Sequence, residues 1–265
     1  MNLLVITSFN KPLWEAYARS SLKSWVRHLK VTAPQELQLL VTVDGEVPED
    51  LMETLRDFPG KVTVELLDNH KEYREYINKY KNYSPPNPQA IPKEHQFRYQ
   101  HLRFWPKVFT MYMASDYEDT AILWLDADVS LHKDLPIEKI TSDLAPKITD
   151  GKCTHASKSF VCLGRGKKWG YMDSGYFLSD HSFATNYNLF VRSLYNIYQN
   201  GVIFKFQEWH DAYLITHLLD ILFTKEHKAL EVLSLSGESE SLNPMEDTWL
   251  SEYMIHFKGN RKSQI

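Results

Sequence analysis

Short apolar, β-branched runs alternate with helical stripes in this chain, and that alternation most limits what it can fold into. Leu3–Thr7, Leu37–Val43, Val62–Leu66 and Ala121–Leu125 each read as a strand. A strand that is apolar along its whole length needs cover on both faces, as in a parallel sheet between helices. Pro12 suits a first helical turn, and Trp14, Ala18, Leu22, Trp25 and Leu29 then recur as one stripe. A second helix is expected from about Pro48 to Phe58, stopped by Pro59-Gly60. The expectation is an α/β protein with a mostly parallel sheet and helices on both faces.

The rest of the chain is less regular. Residues 71–83 are polar and tyrosine-rich. Ser84–Pro92 holds several prolines, which preclude regular structure and leave a long loop. Residues 95–114 read as mainly helical, perturbed at Pro106. The segment Gly151–Gly170 has no periodicity to place it. Ser174–Ser179 is a predicted strand, and Asp180 can cap a helix carrying Phe183, Tyr187, Val191, Leu194 and Tyr198, stopped by Asn200-Gly201. A further helix is expected from about Trp209 to Leu222, and residues 236–244 read as turns.

Composition narrows the function classes. With 265 residues, 43% of them apolar, the chain can bury a substantial core. A net charge of −4 gives no general attraction to nucleic acid or anionic membrane. Two cysteines, Cys153 and Cys162, are too few for a zinc site and read as reduced thiols. The apolar start lacks a basic flank, and no run matches a spanning helix. The expectation is an unanchored, cytoplasmic protein.

Two motifs carry chemistry. The run Ala121–Leu125 delivers Asp126 and Asp128. In extended backbone, residues two apart point the same way, so both carboxylates can approach one cation. Hard oxygens suit Mg²⁺ or Mn²⁺, and an imidazole tilts the choice to Mn²⁺. Near the C-terminus stands His256-Phe257-Lys258-Gly259-Asn260-Arg261-Lys262. Its glycine permits close backbone approach to a diphosphate, and its cations suit a departing anion. A third segment, Phe97–Lys107, interleaves cations with aromatics; Arg103 and Lys107 lie one helical turn apart.

The paired Asp-x-Asp and late His-x-x-Gly-x-x-Lys resemble the GT-A fold nucleotide-sugar glycosyltransferases, most closely the glycogenin-like and galactosyltransferase-like retaining family. That resemblance implies one GT-A domain over residues 1–265, with a Rossmann-like, mostly parallel central sheet and a smaller acceptor-side subregion. A nucleotide-binding half runs to about residue 128, and an acceptor and donor-sugar half follows. It implies Asp126, Asp128 and His256 as metal ligands, and Gly259 and Lys262 as diphosphate contacts. It places base and ribose over the first strand ends, at Thr7, Phe9, Asn10 and Asp44, the last as acceptor for a uracil N3–H. Arg103 and Lys107 are expected on the diphosphate or sugar. Asp173, Glu208 and Asp211 are expected as the catalytic or hydroxyl-binding carboxylates. Asp211 falls near the Asp of the family's Asp-Gln pair, but Ala212 stands where the Gln would be.

The implied donor is a UDP-sugar, with Mn²⁺ or Mg²⁺ as cofactor and retention at the anomeric carbon. The acceptor is left open between a glycan, a protein side chain and a modified DNA base. Two other classes compete. Asp126-x-Asp128 after an apolar strand also resembles the first motif of haloacid-dehalogenase-type phosphohydrolases. The basic–aromatic segment would also suit a non-catalytic nucleic-acid or glycan binder.

Overall fold

A computed structural model describes residues 2–31, 33–144, 147–149, 152–155, 160–166, 171–180, 184–221 and 232–258. The predicted alternation is present. Strand β1 (Asn2–Asn10) leads through Lys11–Leu13 and a π-helical turn into helix α1 (Arg19–His28). Strand β2 (Leu37–Asp44), a short helix α2 (Leu51–Leu55) and strand β3 (Lys61–Leu66) follow. Helices α3 (Lys71–Tyr80) and α4 (His101–Met113) precede strand β4 (Thr120–Leu125). Beyond it come β5 (Val129–Leu131), β6 (Phe160–Leu163), β7 (Asp173–Asp180), α5 (Ala184–Gln199), α6 (Asp211–Leu219), β8 (Val232–Ser234) and β9 (Met254–His256).

The central sheet has seven strands in the order β8-β6-β7-β4-β1-β2-β3. The β4-β1-β2-β3 neighbours pair in parallel, and β8 pairs in parallel with β6. Only β7 runs against its neighbours β6 and β4. Alternation along each strand supplies both layers of the core. Leu3 and Val5 of β1 pack with Trp14, Leu22 and Trp25, whereas Leu4 and Ile6 pack with Tyr73, Tyr76 and Trp105. Strand β4 does the same: Leu123 faces the first layer and Ile122 the second. Cys162 lies buried in β6, and burial pushes its thiol up to about 12.

Several boundaries differ from the sequence expectation. Ser8-Phe9-Asn10 continues β1 rather than forming a loop, because each residue pairs with β2 as far as Asp44. Residues 71–80 are helical: Tyr73, Tyr76 and Tyr80 recur at helical spacing and all are buried. The segment before α4 is a 3-10 helix, Lys93–Tyr99, and regular α-helix starts only at His101. Parts of the Gly151–Gly170 segment, which has no periodicity to place it, pair as strands: Lys152–His155 with Lys147–Thr149, and Phe160–Leu163 with β7. Phe183, expected in the following helix, lies outside the described residues.

His101 joins the proline-rich loop to the core. Its Nδ1 lies 2.8 Å from the Tyr76 hydroxyl, and the ring also hydrogen-bonds the Tyr83 backbone. Burial lowers its pKa to about 4. The unfolded chain therefore takes up this proton before the folded one. Stability is expected to fall as pH drops below the ordinary 6.5 and to stop falling from this cause near 4. Urea midpoints measured between those limits check it. A His101→Phe variant that keeps the full wild-type slope would assign the dependence to another group.

Candidate functional site

Ligands in open α/β sheets bind beyond the carboxyl ends of the strands, where the strand order reverses. Here the reversal lies between β1 and β4. Asn10 ends β1, Asp44 ends β2 and Asp126 follows β4. Because β7 runs the other way, its first residues, Asp173–Gly175, arrive at the same edge. The Asp126 N–H donates to the Gly175 carbonyl at 3.0 Å.

The tail reaches this edge through a small ladder. Strand β9 pairs with β5 antiparallel, setting His256 opposite Val129. The Phe257 N–H then donates to the Asp128 carbonyl at 3.0 Å. Helix α1 braces the ladder from behind: the Trp25 indole donates to the Val129 carbonyl at 2.7 Å, and Ser24 Oγ accepts from the Leu131 N–H at 2.8 Å. His256 Nε2 ends 3.0 Å from Asp128 Oδ1 and 3.8 Å from Asp126 Oδ2. Ligand atoms of Asp126, Asp128 and His256 all lie within 4.8 Å of one another. Two carboxylates and an imidazole at that spacing fit a borderline-hard divalent cation.

Lys107 is the second feature of the site. Its side chain is only 7% exposed. The ammonium donates to Asp126 Oδ1 at 3.0 Å, Asp211 Oδ2 at 2.8 Å and the Ser174 carbonyl at 2.5 Å. Burial alone would lower its pKa, but Asp126 and Asp211 more than offset that and leave it above its ordinary value. Burial would likewise raise Asp211, yet Lys107 holds it below the usual carboxylate range. The Trp124 indole takes up Asp126 Oδ1 further, at 2.6 Å. Asp126 thus has one oxygen fixed by the protein and the other turned towards Asp128 and His256.

The structure brings most of the expected residues together, though not all in the expected capacity. A cavity of about 370 Å³ is lined by Phe9, Asn10, Asp44, Arg103, Lys107 and the aspartate pair. Thr7 is fully buried inside β1, and Ser8 stands on the cavity wall instead. Strand alternation is the reason: Ser8 and Thr7 face opposite sides. Asn10 Oδ1 is occupied as a helix cap, accepting from the Leu13 N–H at 3.1 Å. Asp44 accepts from the Tyr73 hydroxyl at 2.8 Å, and burial raises its pKa. Gly259 and Lys262 lie outside the described residues.

A second cavity, about 790 Å³, meets the first at Asp126, Asp128, Ser174 and Asp211. Phe97, Phe104, Tyr171 and Met172 give it apolar walls, and Arg165 and Lys258 give it charge. Glu208 sits behind His210: its oxygens accept from Arg98 Nη1 at 2.7 Å and face His210 Nε2 at 2.7 Å. Burial would raise its pKa, but His210 and then Arg98 hold it below its ordinary value. Asp173 has no exposed side-chain surface; Arg165 and Lys258 both donate to its Oδ2.

Sequence reasoning missed Arg165, Trp124 and Tyr171 as site residues. Arg165 and Tyr171 fall in or beside the segment without periodicity. Trp124 reads as core because it is buried in an apolar strand, although its indole N–H reaches Asp126 and its ring lies under the Lys107 ammonium. Of the cations in the basic–aromatic segment, only Arg103 is exposed to solvent. Arg98 is paired with Glu208, and Lys107 is buried.

No protein-family model matches the sequence, and no curated protein matches it. Among solved structures, the chain superposes on the apo form of mouse xyloside xylosyltransferase 1 with a TM-score of 0.53 at 13% identity, covering 100% of both chains. It superposes on WbbM, a bifunctional glycosyltransferase, with a TM-score of 0.54 at 10% identity, covering 98% of this chain and 46% of that one. This chain has a GT-A-like glycosyltransferase fold. The GT-A sheet is the seven-stranded one described, with the aspartate pair at the end of its β4. Among the described residues, no helix is long and apolar enough to cross a membrane.

Proposed function

We propose that the chain is a metal-dependent glycosyltransferase that moves a sugar from a UDP-sugar to an acceptor hydroxyl, with retention. The observation that carries this reading is the convergence of Asp126, Asp128 and His256 where two cavities meet. Asp126, Asp128 and His256 would hold Mn²⁺ or Mg²⁺. A bound divalent cation supplies Lewis-acid stabilisation of the departing diphosphate. The smaller cavity suits the nucleotide: Asp44 offers a carboxylate oxygen to a base N–H, and the Phe9 ring offers an apolar wall. Arg103, exposed at the junction, suits a diphosphate oxygen; the family resemblance assigns Gly259 and Lys262 to the same anion. The larger cavity suits the acceptor, whose sugar or aryl faces pack on Phe97, Phe104 and Tyr171.

The carboxylates bear on stereochemistry. Inversion needs a free carboxylate base at the acceptor hydroxyl with a pKa near the working pH. Glu208 and Asp211 are both ion-paired and held acidic, and Asp173 is held by two cations. Among the described residues these candidates are poor bases. The geometry therefore favours front-side transfer. The acceptor oxygen bonds to C1, the C1–O bond to the diphosphate breaks, and the hydroxyl proton passes to the diphosphate oxygen. Asp211, held against Lys107, then serves as fixed negative charge near the oxocarbenium-like centre. A phosphohydrolase would need Asp126 as a free nucleophile, whereas Lys107 and Trp124 occupy it.

The test is donor turnover. With Mn²⁺ present, a panel of UDP-, GDP- and CMP-sugars is expected to show UDP-sugar hydrolysis that EDTA abolishes. NMR of the first product formed is expected to show the donor's anomeric configuration. Turnover that EDTA leaves untouched, or an inverted product, would overturn the corresponding part.

A further inference from the structure

We infer that Asp173 and Gly175, the first and third residues of β7, are positioning residues that preset His256 as a cation ligand. The inference rests on the metal-dependent reading above. His256 spans the gap between β7 and the aspartate pair. Its Nε2 faces Asp128 Oδ1 at 3.0 Å, and its Nδ1 faces Asp173 Oδ1 at 3.6 Å. Nδ1 is buried and makes no hydrogen bond among the described residues. The two oxygens of Asp173 divide their work. Oδ2 accepts from Arg165 at 2.7 Å and from Lys258, while Oδ1 accepts from the Gly175 N–H at 2.8 Å and is turned to the ring.

A carboxylate beside Nδ1 favours the proton there and leaves the Nε2 lone pair directed at the cation position. Asp173 is therefore assigned to holding the ring rather than to binding a sugar hydroxyl. Its Oδ1 is taken by the Gly175 N–H and turned to the ring, and its Oδ2 is held by two cations.

Gly175 supplies the space. A Cβ built on it would lie 2.5 Å from His256 Nδ1 and 3.0 Å from Asp173 Oδ1, closer still to His256 Cε1. Its φ is not positive, so any residue could adopt its backbone. Glycine is needed because the ring occupies the volume a side chain would take. The carbonyl of the same residue fixes the Asp126 N–H. One short segment thus orients ligands on both motifs.

The experiment uses the full chain and Mn²⁺ alone, with the free-ion signal read by electron paramagnetic resonance. Gly175→Ala and Asp173→Asn are each expected to weaken Mn²⁺ binding by about 10- to 100-fold, the usual cost of losing an outer-shell partner. The second readout is the ¹⁵N shift pattern of the His256 imidazole without metal. The unmodified chain is expected to hold a proton on Nδ1, and Asp173→Asn to shift towards the Nε2–H form, whose proton faces Asp128 Oδ1. Gly175→Ala keeps the test open if Asp173→Asn fails to fold, because it leaves every buried charge paired. Mn²⁺ affinity and imidazole shifts unchanged in a folded Gly175→Ala variant would overturn the assignment. If the unmodified chain binds no Mn²⁺ yet shows an Asp173-dependent Nδ1–H, the metal reading fails and the positioning survives.

Discussion

An Asp128→Ala variant is expected to lose metal-dependent sugar transfer by on the order of 10³-fold in kcat, the scale of removing one preorganised charge-stabilising group. Asp128 is 5% exposed and stands 3.0 Å from His256 Nε2. Alanine removes the carboxylate but keeps the backbone carbonyl, which receives the Phe257 N–H. The tail clasp and the fold should therefore persist. The metal-free thermal midpoint is expected to hold or rise, because removing one of two neighbouring carboxylates lessens their repulsion. The unmodified chain should gain thermal stability with added Mn²⁺ by mass action, and the variant should not. A variant that keeps both its turnover and its Mn²⁺-induced shift would remove Asp128 from the cation site.

The second large effect concerns Lys107. Lys107→Met should keep most of the packing of the stem but leave Asp126 and Asp211 without their shared cation. Breaking a buried pair by removing one partner costs about 3–5 kcal/mol. Asp211 bears most of it, since its side chain is only 6% exposed. The double variant Lys107→Met/Asp211→Leu should recover much of the loss, because an apolar pair leaves no unpaired charge on Asp211. The pH dependence follows from the direction of the shift. Asp211 is held below its ordinary value of 3.8, so the contribution of the pair is present above that pH and is lost as pH falls through the folded value. The deficit of the single variant should shrink in acid. Equal urea midpoints for the single variant and the unmodified chain at neutral pH would show that solvent reaches the carboxylates.

Strands β1, β2 and β4 were legible because they are buried on both faces and so read as apolar runs, whereas β6 and β8 were not placed. Helix α3 was not, since its buried stripe is tyrosines in a charged segment, and hydroxylated rings look polar by composition. The aspartate pair and His256 were legible as motifs because their spacing is local. Their meeting is not a local property: it depends on β9 pairing with β5. The role of Lys107 was the least legible. Sequence shows a cation where a diphosphate contact belongs, but not that Asp126 and Asp211 already claim it. Asp173 reads as a substrate carboxylate until Arg165, from the segment without periodicity, is seen beside it.

The one reversed strand has a consequence for how such a protein diversifies. Strand β6 ends, and β7 begins, at the same rim of the sheet, with Leu163 opposite Asp173. Arg165 and Tyr171, from the connection between them, line a wall of the larger cavity beside the candidate cation site. Under the proposed function, substitutions at Arg165 or Tyr171 would alter the acceptor wall without moving any strand of the sheet. Clientele and machinery can evolve on separate schedules.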